Sequence, residues 1–313
     1  MAPPIIVVCG PTATGKTKLG VALAQRFHGE VVSADSMQLY RGMAIGTAQP
    51  TPEEMGGIPH HMLAVADPRE PYSVGRYVEE AGRCLEDILR RGKQPILVGG
   101  TGLYIDSLLS GRDFSPKPPG NSRARLQARA AQEGLQALWT ELQGIDPAAA
   151  ARVHPNDEKR ILRALEVWYD SGETISQHNQ RTQAVPPRYQ AVTLILNYRE
   201  RQDLYARIDQ RVDEMMARGL LDEAKALLAN RVPQDATAMQ AIGYKELLPA
   251  LAGQCPLEDA VALVKLRSRQ YAKRQLSWFR RNQGGKWFYL EKIPNFPALL
   301  QDSTDFVREK GVG

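Results

Sequence analysis

Ile5-Ile6-Val7-Val8-Cys9-Gly10-Pro11-Thr12-Ala13-Thr14-Gly15-Lys16-Thr17 is the stretch that decides the fold. Its first four residues form a short β-branched run, the composition of a strand buried on both faces. Gly10, Pro11, Thr12, Ala13, Thr14, Gly15, Lys16 and Thr17 then fit the pattern G-x-x-x-x-G-K-[ST]. From Lys16 to Phe27 the four-residue spacing of Leu19, Leu23 and Phe27 predicts a helix. In that context loop N–H groups converge on an anion and the helix N-terminus adds partial positive charge. Lys16 adds a full charge, and the Thr17 hydroxyl can ligate Mg²⁺. The alternative, a glycine turn capping a helix without a ligand, is disfavoured by the flanking strand and helix. The pattern predicts a site for a diphosphate or triphosphate.

Working outward, Glu30–Ala34 and Pro95–Val98 read as further short strands, with a charged helix over Val74–Arg91 between them. Strand and helix in alternation predict an α/β fold, a parallel sheet flanked by helices. The composition shifts at the proline-rich segment Ser115–Gly120, and the chain then reads as helix, with candidates at Arg123–Glu133, Leu135–Leu142, Pro147–Val153 and Asp157–Ser171. Pro186-Pro187 closes this stretch, and Ala191–Leu196 is another buried-strand run. The predicted organisation is a catalytic core over 1–114 and 188–313 with an all-helical insertion over 115–187. From Tyr205 the chain reads as helical again, up to a tail near Gly313 that shows no pattern.

With Lys+Arg 40 against Asp+Glu 35, the formal charge is +5, a weak pointer to a polyanionic partner. Cys9, Cys84 and Cys255 are scattered and form no CxxC pair, which argues against a disulfide framework or zinc site. No apolar run approaches membrane-spanning length, and no signal-peptide pattern is present; a cytoplasmic, soluble protein is expected. Within Lys265–Arg281, Lys265, Arg267, Arg269, Lys273, Arg274, Arg280 and Arg281 stand without an acid among them. An apolar stripe of Val264, Ala272, Leu276 and Phe279 leaves these cations largely outward, with Phe279 assigned to the core.

An ATPase usually carries an apolar strand ending in Asp to hold Mg²⁺. Here Ile96-Leu97-Val98 runs into Gly-Gly-Thr, whereas the acid appears at Asp35, directly after Val31-Val32-Ser33-Ala34. The C-terminal ends of parallel strands share one edge with the phosphate loop, so Asp35 belongs beside the phosphates. It is suited either to take a proton from a nucleophile or to bond a loop amide, and spacing does not choose between them.

The string Asp35-Ser36-Met37-Gln38-Leu39-Tyr40, the loop GPTATGKT, Gly99-Gly100-Thr101-Gly102-Leu103-Tyr104 and Gln270–Arg280 together resemble the bacterial tRNA dimethylallyltransferases. Pro59-His60-His61, Tyr72-Ser73-Val74 and Ala241-Ile242-Gly243-Tyr244-Lys245 extend the likeness in the same order over most of the chain. Thr14 departs from the common Ser but keeps a hydroxyl.

The resemblance implies a P-loop NTPase-like, nucleotide-kinase-like core whose loop holds dimethylallyl diphosphate, with Mg²⁺ at Thr17. It implies transfer of the dimethylallyl group to N6 of the adenosine 3′ to the anticodon, position 37, in tRNAs reading codons that begin with U. Asp35 is implied as the catalytic base, Thr101 as a residue near the reacting centre and Arg211 as a diphosphate ligand. For tRNA it implies contacts from Asp35, Ser36, Met37, Gln38 and Thr101, from Arg123, from Lys159, Arg160, Ile161, Leu162 and Arg163, and from Gln240, Ala241, Ile242, Gly243, Tyr244 and Lys245. The adenine must leave the stacked anticodon arm to react, and a monomer is expected to grip it. Adjacent histidines at His60-His61 would point to opposite strand faces, so they are assigned to loop packing near the active site rather than to a metal. A small-metabolite kinase, an adenylate isopentenyltransferase acting on AMP or ATP, and a nucleotide-switched RNA-binding protein are the competing readings. The basic helix and the insertion speak against the first two, and missing GTP-specificity motifs against the third.

Overall fold

The computed structural model describes residues 4–111, 121–183, 186–282 and 284–312. The chain forms two compact units, Met1–Leu109 with Tyr189–Gly313, and Ser110–Arg188. The proline-rich segment Ser115–Gly120 lies outside the described residues.

In the first unit the strands are β1 (Ile5–Cys9), β2 (Gly29–Ser33), β3 (His60–His61), β4 (Gln94–Gly99), β5 (Ala191–Tyr198) and β6 (Lys286–Leu290). They form one parallel sheet in the order β3-β2-β4-β1-β5-β6. β1, β2 and β4 are buried throughout, which is why they read as unbroken apolar runs rather than alternating ones. From β1 the chain crosses toward β2 through the helix Lys16–Arg26. It returns toward β4 through the helix Val74–Arg90. Right-handed crossovers in opposite directions put these helices on opposite faces of the sheet.

The tail belongs to the core: Phe306, Val307 and Val312 are buried with Leu19, Leu23, Ile6 and Val8 on one face. The helical reading from Tyr205 onward misses β6. Its sequence Lys-Trp-Phe-Tyr-Leu lies at the sheet edge and is buried only at Phe288 and Leu290, so it lacks the apolar run of a central strand.

Gly10 ends β1 at φ 143°, and a Cβ there would lie 2.3 Å from the carbonyl oxygen of Leu196 on β5. Gly10→Ala must therefore push β1 and β5 apart as well as strain the backbone. It is expected to lower stability by about 3 kcal/mol, read by chemical denaturation.

Among the described residues the second unit contains helices and no strand: Ser122–Glu133, Leu135–Ile145, Pro147–Ala150, Glu158–Ser171 and Ile175–Gln183. Leu126, Leu138, Leu142, Ile161, Leu162 and Leu165 form its own core. The Asp157 carboxylate caps Glu158–Ser171 by accepting from the Arg160 N–H (3.2 Å), and Asp146 ties two helices by accepting from the N–H groups of Ala149 and Ser176. No helix among the described residues is long and apolar enough to cross a membrane.

Candidate active site

The loop after β1 uses left-handed conformations at Ala13 (φ 66°) and Gly15 (φ 77°) to turn back into the helix Lys16–Arg26. No side chain caps that helix, so its first N–H groups are left to a ligand or solvent. Thr14 Oγ donates to the Pro11 carbonyl (2.9 Å), and Lys16 Nζ donates to the same oxygen (2.6 Å). Burial, and next the nearby Arg211 charge, lower the Lys16 pKa to about 8 against the opposing pull of Asp35.

The glycines of Gly99-Gly100-Thr101-Gly102 have a steric reason. A Cβ at Gly99 would meet the Ala34 backbone, at Gly100 the Gln275 amide and at Gly102 the Trp278 ring, each at 2.2 Å. Two distant motifs are thus one packed object. The helix Leu257–Phe279 leans on the end of β4, Trp278 Nε1 donates to Asp106 (2.7 Å), and Phe279 is buried as expected. Gln275 makes the joint: its Nε2 donates to Gly100 O (2.8 Å) and its Oε1 accepts from the N–H of Thr12 (2.9 Å). This residue fixes the phosphate loop to the neighbouring strand end. It lies within the Gln270–Arg280 motif, yet spacing gave it no role.

Two cavities open at this edge of the sheet. The larger, about 550 Å³, is lined by Thr12 to Lys18 and by Arg207, Arg211, Arg218 and Lys292, a concentration of cations around the loop. The smaller, about 260 Å³, is lined by Ser36, Met37, Gly46, Ile208, Val212, Gln240 to Gly243, Val264 and Arg274. Thr12, Asp35, Thr47, Arg211, Met215 and Tyr271 line both. Asp35 and Arg211 therefore sit where a pocket rich in cations meets a more apolar one. Burial lowers the Arg211 pKa against the opposing pull of Asp35, and its guanidinium makes no hydrogen bond or ion pair among the described residues.

The IPP transferase family pattern matches residues 38–282, and the Isopentenyl transferase pattern matches residues 3–65. The chain belongs to the IPP transferase family. A tRNA dimethylallyltransferase of Thermoanaerobacter sp. (strain X514) is 43% identical over 312 residues, 99% of each chain. The crystal structure of a tRNA isopentenylpyrophosphate transferase from Bacillus halodurans is 40% identical, covers 98% of this chain and 97% of its own, and superposes with a TM-score of 0.73. A eukaryotic dimethylallyltransferase acting on tRNA is 33% identical, covers 99% and 81%, and superposes at 0.84.

The remaining residues singled out for this family divide by position. Asp35 does what its turn-forming alternative required: Oδ1 accepts from the N–H groups of Met37 (2.9 Å) and Gln38 (3.4 Å). It also lines both cavities. Thr101 lines neither cavity; its hydroxyl accepts from the Ser36 N–H (3.0 Å) and so holds the segment after Asp35. Gln38 spends its amide internally, donating to the carbonyls of Thr47 and Ala48 and accepting from Ser33 Oγ. Gln240 to Gly243 line the small cavity, whereas Tyr244 is buried beneath and Lys245 is exposed elsewhere.

In the second unit Lys159, Arg160, Arg163 and Arg123 are exposed. Ile161 and Leu162 face its core at 0% and 3% exposure, so their side chains are not presented to a partner. His60-His61 is placed differently from the expectation. It pairs with β2 as a two-residue edge strand, and His61 Nε2 bonds Glu30, which also holds Arg91 and Lys93. Glu30 opens β2 and so belongs to the edge opposite the phosphate loop.

Proposed function

We propose that this chain is a tRNA dimethylallyltransferase, moving a dimethylallyl group from dimethylallyl diphosphate to N6 of the adenosine at position 37, in tRNAs reading codons that begin with U. The observation that carries this is the placement of Asp35 and Arg211 in the shared wall of a cation-lined pocket and a smaller, more apolar one. The core is then a nucleotide-kinase-like P-loop fold whose loop takes a prenyl diphosphate.

An adenine amine is a poor nucleophile because its lone pair is delocalised into the ring. In the proposed step N6 attacks the allylic C1, the C1–O bond breaks, and the N6 proton passes to Asp35. Diphosphate leaves with the C–O electrons, and Lys16, Arg211 and the loop N–H groups stabilise the charge it gains. Thr17 suits Mg²⁺: it lines the larger cavity and its hydroxyl, a hard oxygen donor, makes no hydrogen bond among the described residues. The ion would neutralise part of the diphosphate charge. Thr101 and Gln38 act by holding the loops that carry Ser36 and Thr47. Binding of tRNA is assigned to the exposed cations Arg123, Lys159, Arg160 and Arg163 of the second unit, and to Gln240 to Gly243 at the small cavity.

The decisive assay supplies labelled dimethylallyl diphosphate with Mg²⁺ to unmodified tRNA, AMP and ATP together. Label in tRNA alone is expected. Label in AMP would make the chain an adenylate isopentenyltransferase, and ATP consumption without label would make it a kinase. Phosphate contacts also predict a salt signature. Lys159→Ala with Arg160→Ala should reduce the slope of log affinity for tRNA against log salt by about 2 and leave donor affinity unchanged, as filter binding across a salt series would report.

A further inference from the structure

The 260 Å³ cavity takes its walls from two irregular stretches far apart in sequence, Gly46 and Thr47 on one side and Gln240 to Gly243 on the other. Neither belongs to a strand or an α-helix that could hold its position. One carboxylate joins them. Glu223, on the helix Leu220–Ala229, accepts from the N–H of Ile45 with both oxygens (3.1 and 2.9 Å) and from the N–H of Gly46 (2.9 Å). Its Oε1 also accepts from the hydroxyl of Tyr244 (2.6 Å). Tyr244 is fully buried and opens the helix Tyr244–Leu251, directly after the Gln240 to Gly243 wall.

The ring and the loop are in tight contact as well. A Cβ on Gly46 would stand 2.5 Å from the Tyr244 ring, so glycine is what admits the tyrosine. From Gly46 the connection runs on toward the acid. The Thr47 carbonyl accepts from Gln38 Nε2 (3.2 Å), and the Gln38 N–H is held by Asp35 Oδ1 (3.4 Å). Glu223 lines neither cavity.

We infer that Glu223 is a positioning residue for the acceptor: through Ile45, Gly46 and Tyr244 it fixes the separation of the two walls, and so where the acceptor adenine meets Asp35. This rests on the transferase reading above. The carboxylate suits the task because it presents acceptors only, to two amides and a hydroxyl that are all donors. In Glu223→Gln an amide NH₂ takes the place of Oε2, the acceptor 2.9 Å from the Ile45 N–H, so a donor faces a donor and the loop amide is pushed from its place.

The test uses the full chain with dimethylallyl diphosphate and tRNA. At saturating donor and tRNA, Glu223→Gln is expected to slow single-turnover transfer about 30-fold, the scale on which sub-ångström misplacement of a reactant acts. Donor affinity should stay within about twofold of the native value, because the phosphate loop is untouched. Tyr244→Phe should slow transfer less, and the double variant should be no slower than Glu223→Gln, since the hydroxyl acts through the carboxylate. A native single-turnover rate in Glu223→Gln overturns the proposal, as does a parallel loss of donor affinity, which would mark general disruption. If Glu223→Gln does not fold, Tyr244→Phe decides: slower transfer with unchanged donor affinity supports the positioning role, and a native rate overturns it. A native chain that labels no tRNA removes the transferase reading itself, before any variant is compared.

Discussion

Asp35→Asn is expected to slow dimethylallyl transfer by about 10²–10⁴-fold, the range that a positioned general base contributes. Asparagine is the informative substitution because Oδ1 of Asp35 also shapes its own loop through the N–H groups of Met37 and Gln38. The amide oxygen of Asn can accept those same bonds, so the turn survives and only the proton acceptor is lost. Alanine would remove both and confuse the two roles. With Asn, binding of donor and of tRNA should stay near native while the rate collapses at saturation of both. An interaction made only in the transition state lowers kcat and kcat/KM together. A rate within a few fold of native would leave Asp35 as a turn former, the other half of what its position already does.

Asp35 also marks where the sequence is legible. The strand, loop and helix from Ile5 to Phe27 could be read because every signal there is local: a β-branched run, glycines at fixed offsets, four-residue spacing. The parallel sheet and a helical second unit followed from the same grammar. Partners that meet only in the fold could not be read this way. Gln275 touches Thr12 and Gly100 across 263 and 175 residues, and no spacing rule links an amide on a basic helix to a loop N–H. Glu223 belongs to no motif, although it organises Ile45, Gly46 and Tyr244.

Gln38 shows a different limit. The resemblance gives it a tRNA contact, and the fold adds what the motif could not show: it lines the larger cavity while Ser33, Thr47 and Ala48 use its amide. Ile161 and Leu162 stand within a basic string but supply the second unit's core, because a helix segment of five residues must show both its faces. β6 escaped because an edge strand with three of its five residues not fully buried carries no unbroken apolar run.

Lys16 governs the other large effect. Its ammonium stands against Pro11 O with Arg211 nearby, and burial holds its pKa at about 8. A bound diphosphate brings negative charge beside it and raises that pKa again, so above pH 8 the donor must bind together with a proton. Donor affinity is expected to be flat below about pH 7 and to weaken up to about tenfold per pH unit above 8, until the pKa of the bound form is passed. Titration calorimetry in buffers of different ionisation enthalpy should register proton uptake at pH 9 and almost none at pH 6.5.

The sign for the free protein is opposite to that of a paired lysine. Its folded pKa lies below the ordinary 10.5, so charging Lys16 opposes folding at pH below about 8, and that penalty fades as pH rises toward 10.5. The donor removes the penalty and should therefore raise Tm more at pH 7 than at pH 9.5. Lys16→Met deletes the titrating group and the charge together. Transfer should fall by about 10²–10³-fold, as when one preorganised donor to a developing anion is lost. The bend in donor affinity near pH 8 should vanish in the same variant. A bend that persists in Lys16→Met would assign the titration to another group in the larger cavity and take the leaving-group role from this lysine.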